Sequence, residues 1–215
     1  MKKHSIFFFD FDGTLADTRE SLVPVYRAGF DLIGMHVSEK QCAHFMHHNL
    51  LETMQEMKVK PEDYSRFVQR IVEALDEEES LRLIKPFPEV EKILQMLHKR
   101  GDIMAVVSGN SSKHIALILN RFGWKDYFKT IIGSDMYKHG KPSPEPLLMG
   151  LSHLGNPDKS ECIYVGDSIQ DATAAKAAGL DYILVDRNKE YDGKGYATYP
   201  VSYTHLRAHE TVLDL

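Results

Sequence analysis

The chain is poor in the features that would mark a secreted, membrane or nucleic-acid-binding protein. Of its 215 residues only two are cysteine, Cys42 and Cys162, far apart and without CxxC spacing. That excludes a disulfide framework and fits a reducing compartment, so a cytoplasmic location is expected. No apolar run is long enough to span a membrane, and the first one stops at Asp10, too short and too acidic for a secretory leader. There is no Lys/Arg-rich stretch, and the net charge is −5. Both weigh against nucleic acid or a membrane surface as partner. The rest is ordinary for a soluble globular protein, with 43% hydrophobic and 27% charged residues. The length suffices for one substantial core, or for a core plus a small accessory domain.

What is there begins at the amino end. Ile6 to Phe9 is an unbroken apolar run, suited to a strand buried on both faces. It ends in Asp10-Phe11-Asp12-Gly13-Thr14. An Asp-Gly pair is also a common turn. Burying two carboxylates together is costly, however, unless a cation or a reaction uses them. The pattern points to a metal-assisted carboxylate site at a strand's carboxyl end, where open α/β sheets place their chemistry.

Strand-like and helix-like segments then alternate, the pattern of an α/β fold. Strands are expected at Ile6–Phe9, Ile103–Val107, Thr130–Ile132, Cys162–Val165 and Tyr182–Val185. Helices are expected at Glu89–Arg100, Lys113–Phe122, Pro144–Leu154 and Gln170–Ala178, each followed closely by a glycine. Residues 16 to 86 break the alternation. They hold no convincing strand and carry helical stripes at Leu22, Val25, Tyr26 and Phe30, and at Phe67, Val68, Ile71, Val72 and Leu75. The expected architecture is a Rossmann-like, doubly wound parallel sheet from residues 1–15 and 87–200, with an α-helical cap domain inserted at 16–86.

Three further strand ends carry chemistry. Ile103–Val107 runs into Ser108-Gly109-Asn110, a hydroxyl and backbone N–H groups beside a helix start, which suits an anion. Ser108 could equally serve as a helix cap. The turn Gly140-Lys141-Pro142-Ser143-Pro144 can hold Lys141 as a fixed point charge. Val165-Gly166-Asp167-Ser168-Ile169-Gln170-Asp171 places two more carboxylates past a strand, where they could also simply favour the next helix start. In a parallel sheet these ends face one side. Asp10, Asp12, Asp167 and Asp171 offer hard oxygen donors suited to Mg²⁺. Lys141, Ser108 and the N–H groups suit a phosphoryl group.

These four segments, in this order and with a helical insert after the first, resemble the motifs of the haloacid dehalogenase-like hydrolases, and most of all their phosphoglycolate phosphatase-like members. The resemblance covers residues 5 to about 200. It implies a Mg²⁺-dependent phosphatase acting on a small phosphorylated metabolite. Asp10 matches the nucleophile that forms an aspartyl-phosphate. Asp12 matches the general acid/base, with its backbone carbonyl on the metal. Ser108, Gly109, Asn110 and Lys141 match the phosphate-holding groups, and Lys141 also stabilises the nucleophile. Asp167 matches a direct metal ligand, and Asp171 an acid that orients the metal's waters. The presence of Asp12 argues against dehalogenation. A phosphomutase of the β-phosphoglucomutase type uses the same parts, and a non-catalytic phosphate-binding protein is the alternative of another class.

Two features stand apart. His36, His44, His47 and His48 lie in the insert, with His44 and His48 at helical i, i+4 spacing, but no HExxH pattern or cysteine accompanies them. A solvated or cleft-facing helix face is expected there, with one of them or Asn49 as a weaker candidate for touching substrate. Residues 201–215 resemble a translated frame of a transposase adapter used in DNA sequencing libraries. They are read as a non-native tail and take no part in the fold argument.

Overall fold

The computed structural model describes residues 4–45, 50–187 and 198–199. The tail at 201–215 and the residues His47, His48 and Asn49 therefore lie outside the described residues. The chain forms two compact units: Asp17–Lys85, and the described parts of Met1–Ala16 together with Pro86–Leu215.

In chain order, β1 (Ile6–Phe9) and a two-residue β2 (Ala16–Asp17) precede α1 (Leu22–Leu32), α2 (Glu39–Phe45), α3 (Leu50–Glu56), α4 (Tyr64–Leu75) and α5 (Glu78–Leu83). After β3 (Lys85–Pro86) come α6 (Val90–Arg100), β4 (Ile103–Val107), α7 (Ser112–Arg121) and β5 (Phe128–Ile132). The chain continues through α8 (Glu145–His153), β6 (Cys162–Gly166), α9 (Ile169–Ala178), β7 (Asp181–Val185) and β8 (Thr198–Tyr199). Three strands were not anticipated. β2 and β3 are two residues long at the ends of the helical stretch, and β8 is equally short; none is long enough to show a period.

In the helical unit, α1 and α4 pack closely. Gly29 makes this possible, because a Cβ there would stand 2.7 Å from the Ile71 side chain and 2.9 Å from Phe67. Glycine costs about 1 kcal/mol in a helix interior, which close packing must offset. Phe30 meets Phe67 with ring centroids 4.7 Å apart, and Val25, Tyr26, Cys42, Phe45 and Ile71 complete this core. The stripe on α4 is narrower than its sequence suggests. Phe67, Ile71 and Ala74 are buried, whereas Val72 is 59% exposed, since five residues on from Phe67 the helix has turned away.

The other unit is a six-stranded sheet in the order β5-β4-β1-β6-β7-β8, with every neighbouring pair parallel. The strand order reverses beside β1, so the crevice at the carboxyl ends of β1 and β6 is the switch point where such sheets bind ligands. All four residues of β1 are buried, as an interior parallel strand requires. Phe8 packs with Ala105, Val107, Ile132, Leu147 and Tyr164 on one face, and Phe7 and Phe9 stack at 6.3 Å. The end of β1 is thus held by neighbours on both sides, and Asp10 N donates to Val165 O at 2.8 Å. Among the described residues no helix is long and apolar enough to cross a membrane.

Candidate active site

The turn after β1 closes on itself. Thr14, Leu15 and Ala16 N–H groups all reach Phe11 O, and Gly13 N donates to Ala16 O at 2.9 Å. Gly13 sits at φ +76°, and a Cβ there would lie 2.0 Å from Asp167 Oδ2. Only glycine meets both conditions, so the turn from β1 rests directly against the carboxylate that follows β6.

Lys141 is the hub. Its ammonium donates to Asp10 Oδ1 at 2.6 Å, to Asp171 Oδ1 at 2.6 Å and to the Tyr164 hydroxyl at 3.0 Å. Those three bonds use all three of its protons. Tyr164 passes its own proton on to Asp171 Oδ1 at 2.9 Å. The other oxygen of Asp171 accepts from Ser168 N (3.1 Å) and Ser168 Oγ (2.6 Å), within a capping box that starts α9. Asp171 therefore both caps the helix and anchors the lysine. Its two oxygens are already occupied, which suits a supporting position rather than a direct metal ligand. The lysine loop is itself braced, because Glu145 accepts from the Lys138 and His139 backbone N–H groups.

A second group surrounds Asp12. Its Oδ2 accepts from Asn110 Nδ2 at 2.9 Å and from Ser108 Oγ at 3.4 Å. Ser108 is fully buried, and its Oγ also accepts from Asn110 N at 3.1 Å. The capping of α7 falls to Ser111, which accepts from His114 N at 3.2 Å. Ser108 is thus relieved of the cap role that its position also allowed. Gly109 is exposed, with open space where a Cβ would stand.

Asp10, Asp167 and Asp171 bring carboxylate oxygens within 4.8 Å of one another. Burial pushes the Asp10 carboxyl well above its usual range; Lys141 opposes the rise, and Asp171, Asp12 and Asp167 reinforce it. Burial, aided by Asp171, raises Asp167 to about 6. Burial would raise Asp171 too, but the charge and hydrogen bond of Lys141 and the bonds from Ser168 and Tyr164 hold it below its usual value. Burial alone would pull Lys141 down, yet Asp10, Tyr164 and Asp171 hold it well above its ordinary value. One ammonium thus faces three carboxylates in a largely buried crevice. A hard divalent cation fits this donor set, since it supplies the missing positive charge and prefers oxygen. The Asp12 side chain is not one of the three. It is turned to Ser108 and Asn110, which leaves its backbone carbonyl as the group it could offer a metal.

Every candidate site residue lies just past the carboxyl ends of β1, β4 and β6, in the first turn of α9 (Asp171) or in the loop carrying Lys141. Tyr164 is a different matter from the core residue its sequence suggests. Its ring is buried beside Phe8, but its hydroxyl sits in the charge network. The available signal was a tyrosine in an otherwise apolar buried strand, whose hydroxyl must find a partner. The Asn110 side-chain contact to Asp12 was not anticipated either. In the helical unit, His36 Nδ1 is 2.9 Å from Asp31 and His44 Nε2 is 3.1 Å from Glu56, both on the surface. Among the described residues neither joins a metal-sized cluster.

The family model described as "Haloacid dehalogenase-like hydrolase" matches residues 7–185. The pyrophosphatase PpaX of Bacillus velezensis is 31% identical over 179 residues, spanning 83% of this chain and 81% of its own. A phosphoglycolate phosphatase of Neisseria meningitidis is 30% identical over 179 residues, spanning 80% and 75%. Among solved structures, a HAD-superfamily hydrolase (subfamily IA, variant 1) of Geobacter sulfurreducens aligns with a TM-score of 0.74 over 96% of each chain. At 23% identity that likeness speaks for the fold alone.

Proposed function

The chain belongs to the haloacid dehalogenase-like hydrolase family and is a phosphoric monoester hydrolase; on that premise we propose that it cleaves a small phosphorylated metabolite through an aspartyl-phosphate on Asp10, with Mg²⁺ as cofactor. The observation that carries the reading is the Lys141 ammonium bound at 2.6 Å to both Asp10 and Asp171. It fixes one carboxylate oxygen of Asp10 and leaves Oδ2 without a hydrogen bond among the described residues, free to attack.

In this mechanism Asp10 Oδ2 forms a bond to phosphorus as the bond to the leaving oxygen breaks. Asp12, held by Asn110 and Ser108, gives its proton to that leaving oxygen. It then takes a proton from water, which attacks phosphorus, releases inorganic phosphate and restores the Asp10 carboxylate. Mg²⁺, held by Asp10, the Asp12 carbonyl and Asp167, would offset repulsion between the attacking carboxylate and the phosphate dianion. Lys141 acts in the same sense through its charge. Its three protons are already engaged, so its help to the phosphoryl group is electrostatic rather than an added hydrogen bond. The Gly109 backbone N–H, which has no hydrogen bond among the described residues, is available to the phosphate oxygens where the chain is open, whereas the Asn110 N–H is already given to Ser108 Oγ. Tyr164 remains a neutral phenol, since burial raises it well above its ordinary value.

The test is a single-turnover rapid quench with enzyme in excess over a ³²P-labelled substrate, followed by borohydride reduction. Label must appear transiently on the protein, and reduction must convert Asp10 to homoserine. Asp10→Asn must lose phosphate release. An Asp10→Asn variant that kept full activity would end the proposal. Pyrophosphate and phosphoglycolate, the substrates named for the two relatives, head the panel.

A further inference from the structure

Arg187 follows β7 directly and belongs to none of the four motif segments. Its side chain is 20% exposed, and each of the three guanidinium nitrogens donates a hydrogen bond. Nε donates to Gly13 O at 3.0 Å and Nη2 to Thr14 O at 2.9 Å. Nη1 donates to the buried carboxylate of Glu89, the residue that precedes α6. The Phe87 ring lies beneath, its centroid 3.4 Å from Cζ. Phe87 N in turn donates to Leu15 O at 3.2 Å. Three successive carbonyls of the turn after β1 are therefore held from outside by one arginine and the backbone beside its stacking partner.

The same turn also meets the Asp167 carboxylate, which leaves no room for a Cβ at Gly13. The turn is pinned by Arg187 and by its contact with Asp167. We propose that Arg187 is a positioning residue for the divalent-cation site, setting the turn so that the Asp12 carbonyl and the Asp167 carboxylate keep a fixed separation. This rests on the cation reading above. A planar fork can hold two adjacent carbonyls and a carboxylate at once; a lysine, a single point donor, cannot. Glu89 keeps the buried guanidinium neutralised, so the clamp adds no net charge beside the metal ligands.

The experiment is a titration of the full chain with Mn²⁺, following the free ion by electron paramagnetic resonance, for the parent, Arg187→Met and Arg187→Lys. Loss of a supporting contact of this kind weakens metal affinity by about 10- to 100-fold. Arg187→Met is expected at the lower end of that range, with Arg187→Lys also weakened, by more than about twofold but by less than Arg187→Met. The Mg²⁺ concentration for half-maximal activity should rise by the same factor while kcat at saturating Mg²⁺ changes little. A merely structural role would lower stability without this split. If Arg187→Met does not fold, Arg187→Lys decides. Variants that bind Mn²⁺ within twofold of the parent overturn the role of Arg187. A parent that binds no Mn²⁺, and keeps its activity in chelator, overturns the cation reading and this inference with it.

Discussion

Replacing Lys141 by methionine removes the one ammonium in the carboxylate cluster while keeping most of the unbranched apolar stem. In the parent the lysine lies 2.6 Å from oxygens of Asp10 and Asp171, whose side chains are 8% and 3% exposed. Removing one partner of a buried ion pair costs about 3–5 kcal/mol, because the remaining charge is left unpaired. Here two carboxylates and a tyrosine hydroxyl lose the same partner, so the upper half of that range is expected at pH 8 in chelator. The pH dependence has a definite sign. Asp10 is already raised by burial, and the variant raises it further. An acid raised in the folded state is costly above its folded pKa, and the cost fades as pH falls through that value. Asp171 is lowered in the parent, so its contribution is present above its unfolded pKa and is lost as pH falls through its folded one. Both effects narrow the gap between variant and parent in acid. Urea unfolding followed by the emission of Trp124, the single tryptophan and fully buried in the sheet unit, reads it directly. Activity at saturating Mg²⁺ should fall by about 10²–10³, the usual loss for one electrostatic stabiliser. A gap at pH 8 below about 1 kcal/mol, or one that widens toward pH 5, would refute the charge argument.

Two other perturbations probe the same unit. Tyr164→Phe deletes the hydroxyl between Lys141 and Asp171 but keeps the ring; stability should drop by about 1–2 kcal/mol in the same urea assay. An unchanged midpoint would mean the hydroxyl is redundant. Burial, with Glu161 next, pushes the Cys162 thiol up to about 11. The native thiol should resist a chromogenic disulfide reagent at pH 8 and titrate fully in urea. Rapid reaction of Cys162 in the folded protein, mapped by mass spectrometry, would contradict its burial.

The parts of the site legible in the sequence are those whose signal is local. Asp10 and Asp12 announce themselves by ending an apolar strand, Asp167 and Asp171 by following another, and Lys141 by its proline-rich turn. β1 and β4 have the bounds their apolar runs imply, and β6 is one residue longer. What stayed hidden depends on contacts across long separations. Tyr164 reaches Lys141 over 23 residues, Asn110 reaches Asp12 over 98, and Arg187 reaches Gly13 over 174. No period or spacing encodes such pairs; only the closed sheet brings them together. Val72 shows the complementary error, an apolar residue one step off the buried face of its helix.

The place of β1 in the sheet bears on how the protein is made. Of the strands in this sheet it is synthesised before the rest, yet its register partners are Ile103–Val106 on one side and Cys162–Val165 on the other. Its row of phenylalanines therefore waits with at least one edge unpaired while some 150 residues are synthesised, about 8–30 s at ordinary elongation rates. The nascent chain should bind apolar-surface chaperones during that interval, and fragments ending before β6 should aggregate rather than show partial activity. Catalytic competence then arrives late and all at once, when the sixth strand slots in beside the first.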